Sequence, residues 1–125
     1  MMLIKFAILP EVFALARLSP DAPLPAWPRG RFVSMTRGSR EITIVCAEGE
    51  APAGAETRGG YRCLEILGEY EPEAVGVVAA ATAPLARAGV SVFVFSAWST
   101  DFLLVAEVDL GRAQSALRHA GHAID

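Results

Sequence analysis

The sequence predicts an α+β protein whose second half runs strand, helix, strand, strand, helix, strand, behind a first half that is mostly sheet. Three observations carry this. Residues 89–105, G-V-S-V-F-V-F-S-A-W-S-T-D-F-L-L-V, open two apolar strand-like runs, 91–95 and 102–106, whose polar connection is too short for a crossover helix, so the strands pair antiparallel. Apolar residues at helical spacing flank the pair, with Val78, Ala81 and Leu85 before it and Leu110, Ala113 and Leu117 after it. Earlier in the chain, residues 47–60 contain Gly, Pro, Ala and Glu with almost no large apolar side chain, which marks a boundary between residues 1–60 and 61–125.

The totals exclude several functions. With 53% apolar and 20% charged residues over 125 positions, the chain has the apolar content to bury a core and is not disordered. A formal charge of −3, a single lysine at Lys5 and scattered arginines leave no basic cluster for nucleic acid. No run reaches the roughly 20 apolar residues that span a bilayer, so no membrane partner is expected. Lys5 and Pro10-Glu11 interrupt the apolar N-terminal stretch, which argues against a leader and for a cytoplasmic location. Cys46 and Cys63 sit in strand-like surroundings and read as buried thiols rather than metal ligands, with a disulfide between them as the alternative that export would favour.

Taken in order, residues 3–9 and 12–18 are strand-like around Pro10-Glu11 and suggest a hairpin. Prolines 20, 23, 25 and 28 then make a rigid linker, with Trp27 as its anchor to the core. Residues 32–36 and 41–46 form a second hairpin about the turn Arg37-Gly38-Ser39-Arg40. Residues 61–67 resume as a strand. A helix follows with Pro72 and Glu73 in its first turn, bent near Ala80 by Pro84 and ended near Ala88 by Gly89. Gly76 and Ala80 leave this helix a shallow side. In the central pair Val92 and Val94 face one way and Phe93 and Phe95 the other, so both faces of that sheet need cover, from the chain or from a second copy. Asp109 caps a second helix over residues 110–120, Gly121 closes it, and residues 122–124 give a last strand. This order is ferredoxin-like, with both helices on one face of an antiparallel sheet.

Residues 83–110, A-P-L-A-R-A-G-V-S-V-F-V-F-S-A-W-S-T-D-F-L-L-V-A-E-V-D-L, resemble the ACT domain of the CASTOR type. That group holds the cytosolic arginine sensors and many small bacterial ACT-domain proteins. Residues 34–46, S-M-T-R-G-S-R-E-I-T-I-V-C, are similar to the shorter, helix-poor ACT-like unit of the same family. The resemblance implies a non-enzymatic regulatory protein that binds a small molecule, commonly an amino acid, between ACT units, and that pairs as a homodimer. The positions it implies for ligand contact are Ser91, Val92 and Asp101. Ala97 stands where the family commonly carries a hydroxyl.

The ligand-binding residues expected on both grounds are Gly76, Gly89, Val90, Ser91, Val92, Thr100 and Asp101. An amino acid needs opposite partners for its ammonium and its carboxylate. Asp101, beside Thr100, supplies the first; amides around Gly89, Val90 and Ser91 supply the second; Gly76 leaves room. The plain alternative is a structural homodimerisation module with a vestigial cleft, in which Asp101 stabilises a turn and Gly76 permits helix packing. Trp98 reads as an interface anchor or as a lid. His119 and His122 read as solvated groups that complement a helix C-terminus, and Glu69, Glu71 and Glu73 as an exposed acidic lead-in. No catalytic set, cofactor or metal is expected.

Overall fold

The computed structural model describes residues 2–23, 30–68 and 74–125. The expectations for Trp27, Pro25, Pro28, Pro72, Glu69, Glu71 and Glu73 lie outside these. Among the described residues there are eight strands and two α-helices: β1 (Lys5–Ile8), β2 (Phe13–Leu18), β3 (Ser34–Arg37), β4 (Ile42–Ala47), β5 (Glu56–Ile66), α1 (Val77–Arg87), β6 (Phe93–Ser96), β7 (Asp101–Ala106), α2 (Leu110–His119) and β8 (Ala123–Ile124). They fall into two compact units, one of Met1–Pro10 with Arg62–Asp125 and one of Glu11–Tyr61. The first ten residues, expected in the helix-poor half, therefore cluster with the helical one.

The larger unit has the ferredoxin-like order β5, α1, β6, β7, α2, β8, with an extra strand. β1 lies between the first and last strands of that motif, antiparallel to β5 through Phe6↔Ile66 and Ile8↔Leu64 and parallel to β8 through Lys5↔Ala123. The expected hairpin of β1 with β2 does not form. Each strand pairs with β5 instead, and the connection Pro10-Glu11 offers none of the residues that a tight two-residue reversal requires.

Both helices cover one face, where Ile4, Phe6, Leu64, Ile66, Leu103 and Val105 meet Val77, Ala81, Leu85, Ala113 and Leu117 in one buried cluster. On α1 the buried stripe is Val77, Ala81 and Leu85, four residues apart, so Val78 sits off it and is 43% exposed. On the opposite face of the sheet Cys63 and Leu104 are fully buried and Phe102 is 8% exposed. Phe102 stacks on Phe95, the ring centres 4.9 Å apart.

Helix α1 starts later than the Pro72-Glu73 signal suggests, because Gly76 takes φ +89, a left-handed conformation that no helix can pass through. Its end is a Schellman motif. The Val90 amide donates to the Leu85 carbonyl at 2.9 Å and the Gly89 amide to that of Ala86 at 3.0 Å, with Gly89 at φ +72. Asp109 occupies the N-cap position of α2 as expected, but its carboxylate makes no cap and instead accepts from Arg112 at 2.7 Å.

His122 is not solvated. It is 6% exposed, its ring is edge-on to Phe6, its Nδ1 accepts the Ile4 amide at 3.0 Å, and its Nε2 donates to the Ala80 carbonyl at 2.9 Å. The Ala80 carbonyl is the one that Pro84, lacking an N–H, leaves without its helical partner. One imidazole thus links the residue before β1, the Ala80 carbonyl of α1 and the segment that follows α2.

The smaller unit is an antiparallel sheet in the order β3, β4, β2, β5. The expected β3–β4 hairpin forms, with Arg37 opposite Ile42 and the Gly38 amide donating to the Glu41 carbonyl at 2.9 Å. Ala16, Ile42, Ile44 and Cys46 make its buried cluster. Opposite β2 the strand β5 slips register, and there the Glu48 carboxylate accepts the Gly60 amide at 2.7 Å.

Candidate functional site

The pocket that gathers the most chemistry in the larger unit lies between the N-terminus of α1 and the β6–β7 turn. It encloses about 480 Å³. One wall is Gly76, Val77, Val78 and Ala79; the other is the turn from Ser96 to Asp101. The topology dictates this meeting, because the start of α1, the end of β6 and the start of β7 all lie at the end of the sheet where β5 finishes.

The turn is rigidly built. The Ala97 amide donates to the Thr100 carbonyl at 2.9 Å and closes it. The Thr100 hydroxyl donates to the Ile66 carbonyl at the end of β5, which ties the turn to the sheet. Ser96 and Asp101 are cross-strand partners, and the Ser96 hydroxyl donates to Oδ1 of Asp101. Asp101 is partly buried and lines the pocket. A serine donor holds its carboxylate in place without neutralising it, and Oδ2 has room for a second partner.

The facing wall supplies the opposite polarity. An α-helix leaves its first amides without internal acceptors, and its dipole makes that end electropositive. Here the N-cap is Gly76 and no side chain caps the helix; the first helical bond runs from the Ala80 amide to the Gly76 carbonyl at 2.9 Å. The amides of Val77, Val78 and Ala79 precede it and belong to pocket-lining residues. An anionic group on this wall and a cationic group at Asp101 would both find their complement across one cleft. Trp98, 90% exposed, and Val78 give the pocket an apolar rim.

Three of the seven residues expected at a ligand site, Gly76, Thr100 and Asp101, come together here. The other four do not. Gly89, Val90, Ser91 and Val92 lie past the other end of α1, eleven residues away at about 1.5 Å each, or roughly 16 Å. The sequence expects free amides around Gly89, Val90 and Ser91, and for two of the three this is corrected: those of Gly89 and Val90 satisfy the last carbonyls of α1. Val90 is 4% exposed, Val92 packs against the core, and Ser91 is exposed. What the sequence reading missed is the role of backbone, the amides of Val77 to Ala79, together with Ser96. The signal was Gly76 itself, read as a packing allowance rather than as the residue that stops and exposes a helix start.

Other chemistry is sparse. Cys46 and Cys63 are buried and form no disulfide. Burial, reinforced by the charge of Glu50, holds the Cys46 thiol above its ordinary pKa, in the unreactive protonated form. No cluster of three His, Cys, Asp or Glu side chains suited to a metal occurs among the described residues. No helix among them is long and apolar enough to cross a membrane.

Comparison with known proteins agrees with this architecture. The sequence profile of the ACT domain matches residues 56–119, and a second profile, describing an N-terminal domain, matches residues 11–54. A crystal structure of a protein from Agobacterium tumefaciens is 34% identical, covers 100% of this chain and 94% of its own, and superposes with a TM-score of 0.92. A Vibrio cholerae protein of unknown function, described as a possible transport protein, is 20% identical over 94% of this chain and 89% of its own, with a TM-score of 0.73. The regulatory subunit of aspartate kinase from Thermus thermophilus shares the fold at 14% identity, over 93% of this chain and 96% of its own, with a TM-score of 0.64. No curated protein matches the chain.

Proposed function

The chain belongs to the ACT-domain family, and from that premise we propose that it is a non-enzymatic regulatory protein that binds an amino acid in the pocket between α1 and the β6–β7 turn. The observation that carries this is the pairing of an uncapped helix N-terminus with Asp101 across about 480 Å³, a volume within the usual range for small-molecule sites. The ligand carboxylate takes the amides of Val77 to Ala79, and its ammonium takes the free oxygen of Asp101. Trp98 and Val78 cover the side chain. Fold likeness to an aspartate kinase regulatory subunit supports a regulatory role of this kind. The finer assignment, to the CASTOR type, rests on the residue pattern over 83–110.

Homodimerisation belongs to the same proposal. Ser91 and Val92 lie too far from Asp101 to touch one small ligand within a chain, so any contact they add to a ligand held at Asp101 comes from a second copy. Regulation then follows from differential binding: a ligand favours one arrangement of copies only by as much as its affinity differs between arrangements.

A thermal-shift screen of the twenty amino acids tests the reading, since occupancy at 100 times the Kd adds about 2.7 kcal/mol. The expected result is a shift with one amino acid or a related few, lost in Asp101→Asn. No shift with any of them favours a second reading, a homodimerisation module with a vestigial cleft, for which the 90% exposure of Trp98 speaks.

A further inference from the structure

The two helices carry a charge pattern unlike the rest of the chain. The protein has a net charge of −3, yet α1 and α2 together hold Arg87, Arg112, Arg118 and His119 and no Asp or Glu. Three of these four groups line a single groove between the helices, of about 470 Å³, together with Ser115. Its floor is apolar, with Pro84 buried and Ala116 partly buried, while Arg87, Arg112, Ser115 and His119 are exposed at its rim. Among the described residues Arg87 and His119 have no ion pair or hydrogen bond, and Arg112 shares one terminal nitrogen with Asp109 at 2.7 Å.

Helix polarity explains part of this but not all. Arg87 ends α1 and His119 ends α2, where a cation complements the dipole. Arg112 is the third residue of α2, where the dipole disfavours a cation, and one of its terminal nitrogens pairs with Asp109 at 2.7 Å. A concave, apolar-floored groove with two guanidinium forks, an imidazole and a hydroxyl around one opening has the donors that polyvalent oxyanions require.

We infer that the groove between α1 and α2 is a second binding site, for a small organic or inorganic anion with two or more carboxylate or phosphate groups. Arg87 and Arg112 grip two of those groups from opposite helices, and Ser115 and His119 donate to the remaining oxygens. The site is independent of the amino-acid pocket, since it lies against the C-terminal half of α1 and shares no lining residue with it. An anion there bridges the helices and stiffens their packing.

The test is calorimetric titration with citrate and with pyrophosphate at an ionic strength fixed by sodium chloride. The expected result is saturable binding of at least one, weakened tenfold or more in Arg87→Gln and in Arg112→Gln and unchanged in Arg118→Gln, which alters an arginine of the same helix outside the groove. Comparison of the two probes separates carboxylate from phosphate preference. Because both groove arginines are exposed, the variants keep the fold, which their melting temperatures without probe verify. Asp101→Asn leaves the titration unchanged, so failure of the amino-acid proposal would not touch this one. Heat that does not saturate, binding that survives both groove variants, or an equal loss in Arg118→Gln would overturn the inference.

Discussion

The Ala80 carbonyl, which Pro84 leaves without a helical partner, is bonded by a histidine that lies 38 residues beyond the proline in the chain, and this makes a quantitative prediction. Replacing His122 with Ala removes the acceptor of the Ile4 amide and the donor to the Ala80 carbonyl, both in a buried setting. Each orphaned group costs about 1–3 kcal/mol, and loss of the ring against Phe6 adds packing, so a total of about 3–5 kcal/mol is expected. At about 3–5 °C per kcal/mol for a chain of this size, the melting temperature falls by roughly 9–25 °C. A second substitution isolates the Ala80 contact. Pro84→Ala restores an amide at position 84, which can bond the Ala80 carbonyl within the helix. The cost of His122→Ala should therefore be smaller by about 1 kcal/mol in the Pro84→Ala background, a coupling that a double-mutant cycle of urea melts reads directly. Equal costs in the two backgrounds would refute the claim that the histidine serves the carbonyl that the proline leaves open.

Three further outcomes follow from the structure. A Cβ at Gly59 would lie 2.5 Å from the Glu48 carboxylate that accepts the Gly60 amide, so Gly59→Ala displaces that carboxylate. Gly59→Ala and Glu48→Ala should each cost about 1–2 kcal/mol and, in chemical denaturation of the double variant, fall short of additive. Burial raises the Cys46 pKa above its ordinary 9.0, so the unfolded chain releases this proton first. Stability should then decline as pH climbs past 9, with a shallower decline in Cys46→Ala, and native Cys46 should resist thiol reagents at pH 8 that label the unfolded chain. Trp98→Ser should change the stability of the single chain by less than about 0.5 kcal/mol, since the indole is 90% exposed, while weakening a homodimer measured by sedimentation if the ring anchors one.

The sequence was most readable where its signals are local. Alternation in residues 91–106, Gly89 and Gly121 after periodic segments, and the stripe of Ala113 and Leu117 each fix an element through neighbours a few residues away. The placement of β1 was not readable that way. Its partners, Leu64 to Ile66 and Ala123 to Ile124, lie far along the chain, and strand pairing over such distances leaves no mark on local pattern. The start of α1 was misjudged because Pro72 and Glu73 are good first-turn residues while Gly76, the residue that decides, also fits a packing role. His122 looked like a solvated helix-end cation, since its two partners are backbone atoms of Ile4 and Ala80 and carry no side-chain signature. The candidate site was half legible for the same reason. Asp101 and Thr100 announced themselves as side chains, whereas the amides of Val77 to Ala79 exist as donors only once the helix begins at Val77.

The most direct test of the central proposal asks whether both charges of the ligand are read. For the amino acid that gives the largest thermal shift, calorimetric affinities of the free acid, its carboxamide and its N-acetyl derivative are compared on the native protein and on Asp101→Asn. The proposal predicts a loss of tenfold or more for each derivative on the native protein, and that Asp101→Asn weakens the free acid while no longer distinguishing it from the N-acetyl form. An N-acetyl derivative that binds as tightly as the free acid, or an Asp101→Asn variant with undiminished affinity, would contradict it.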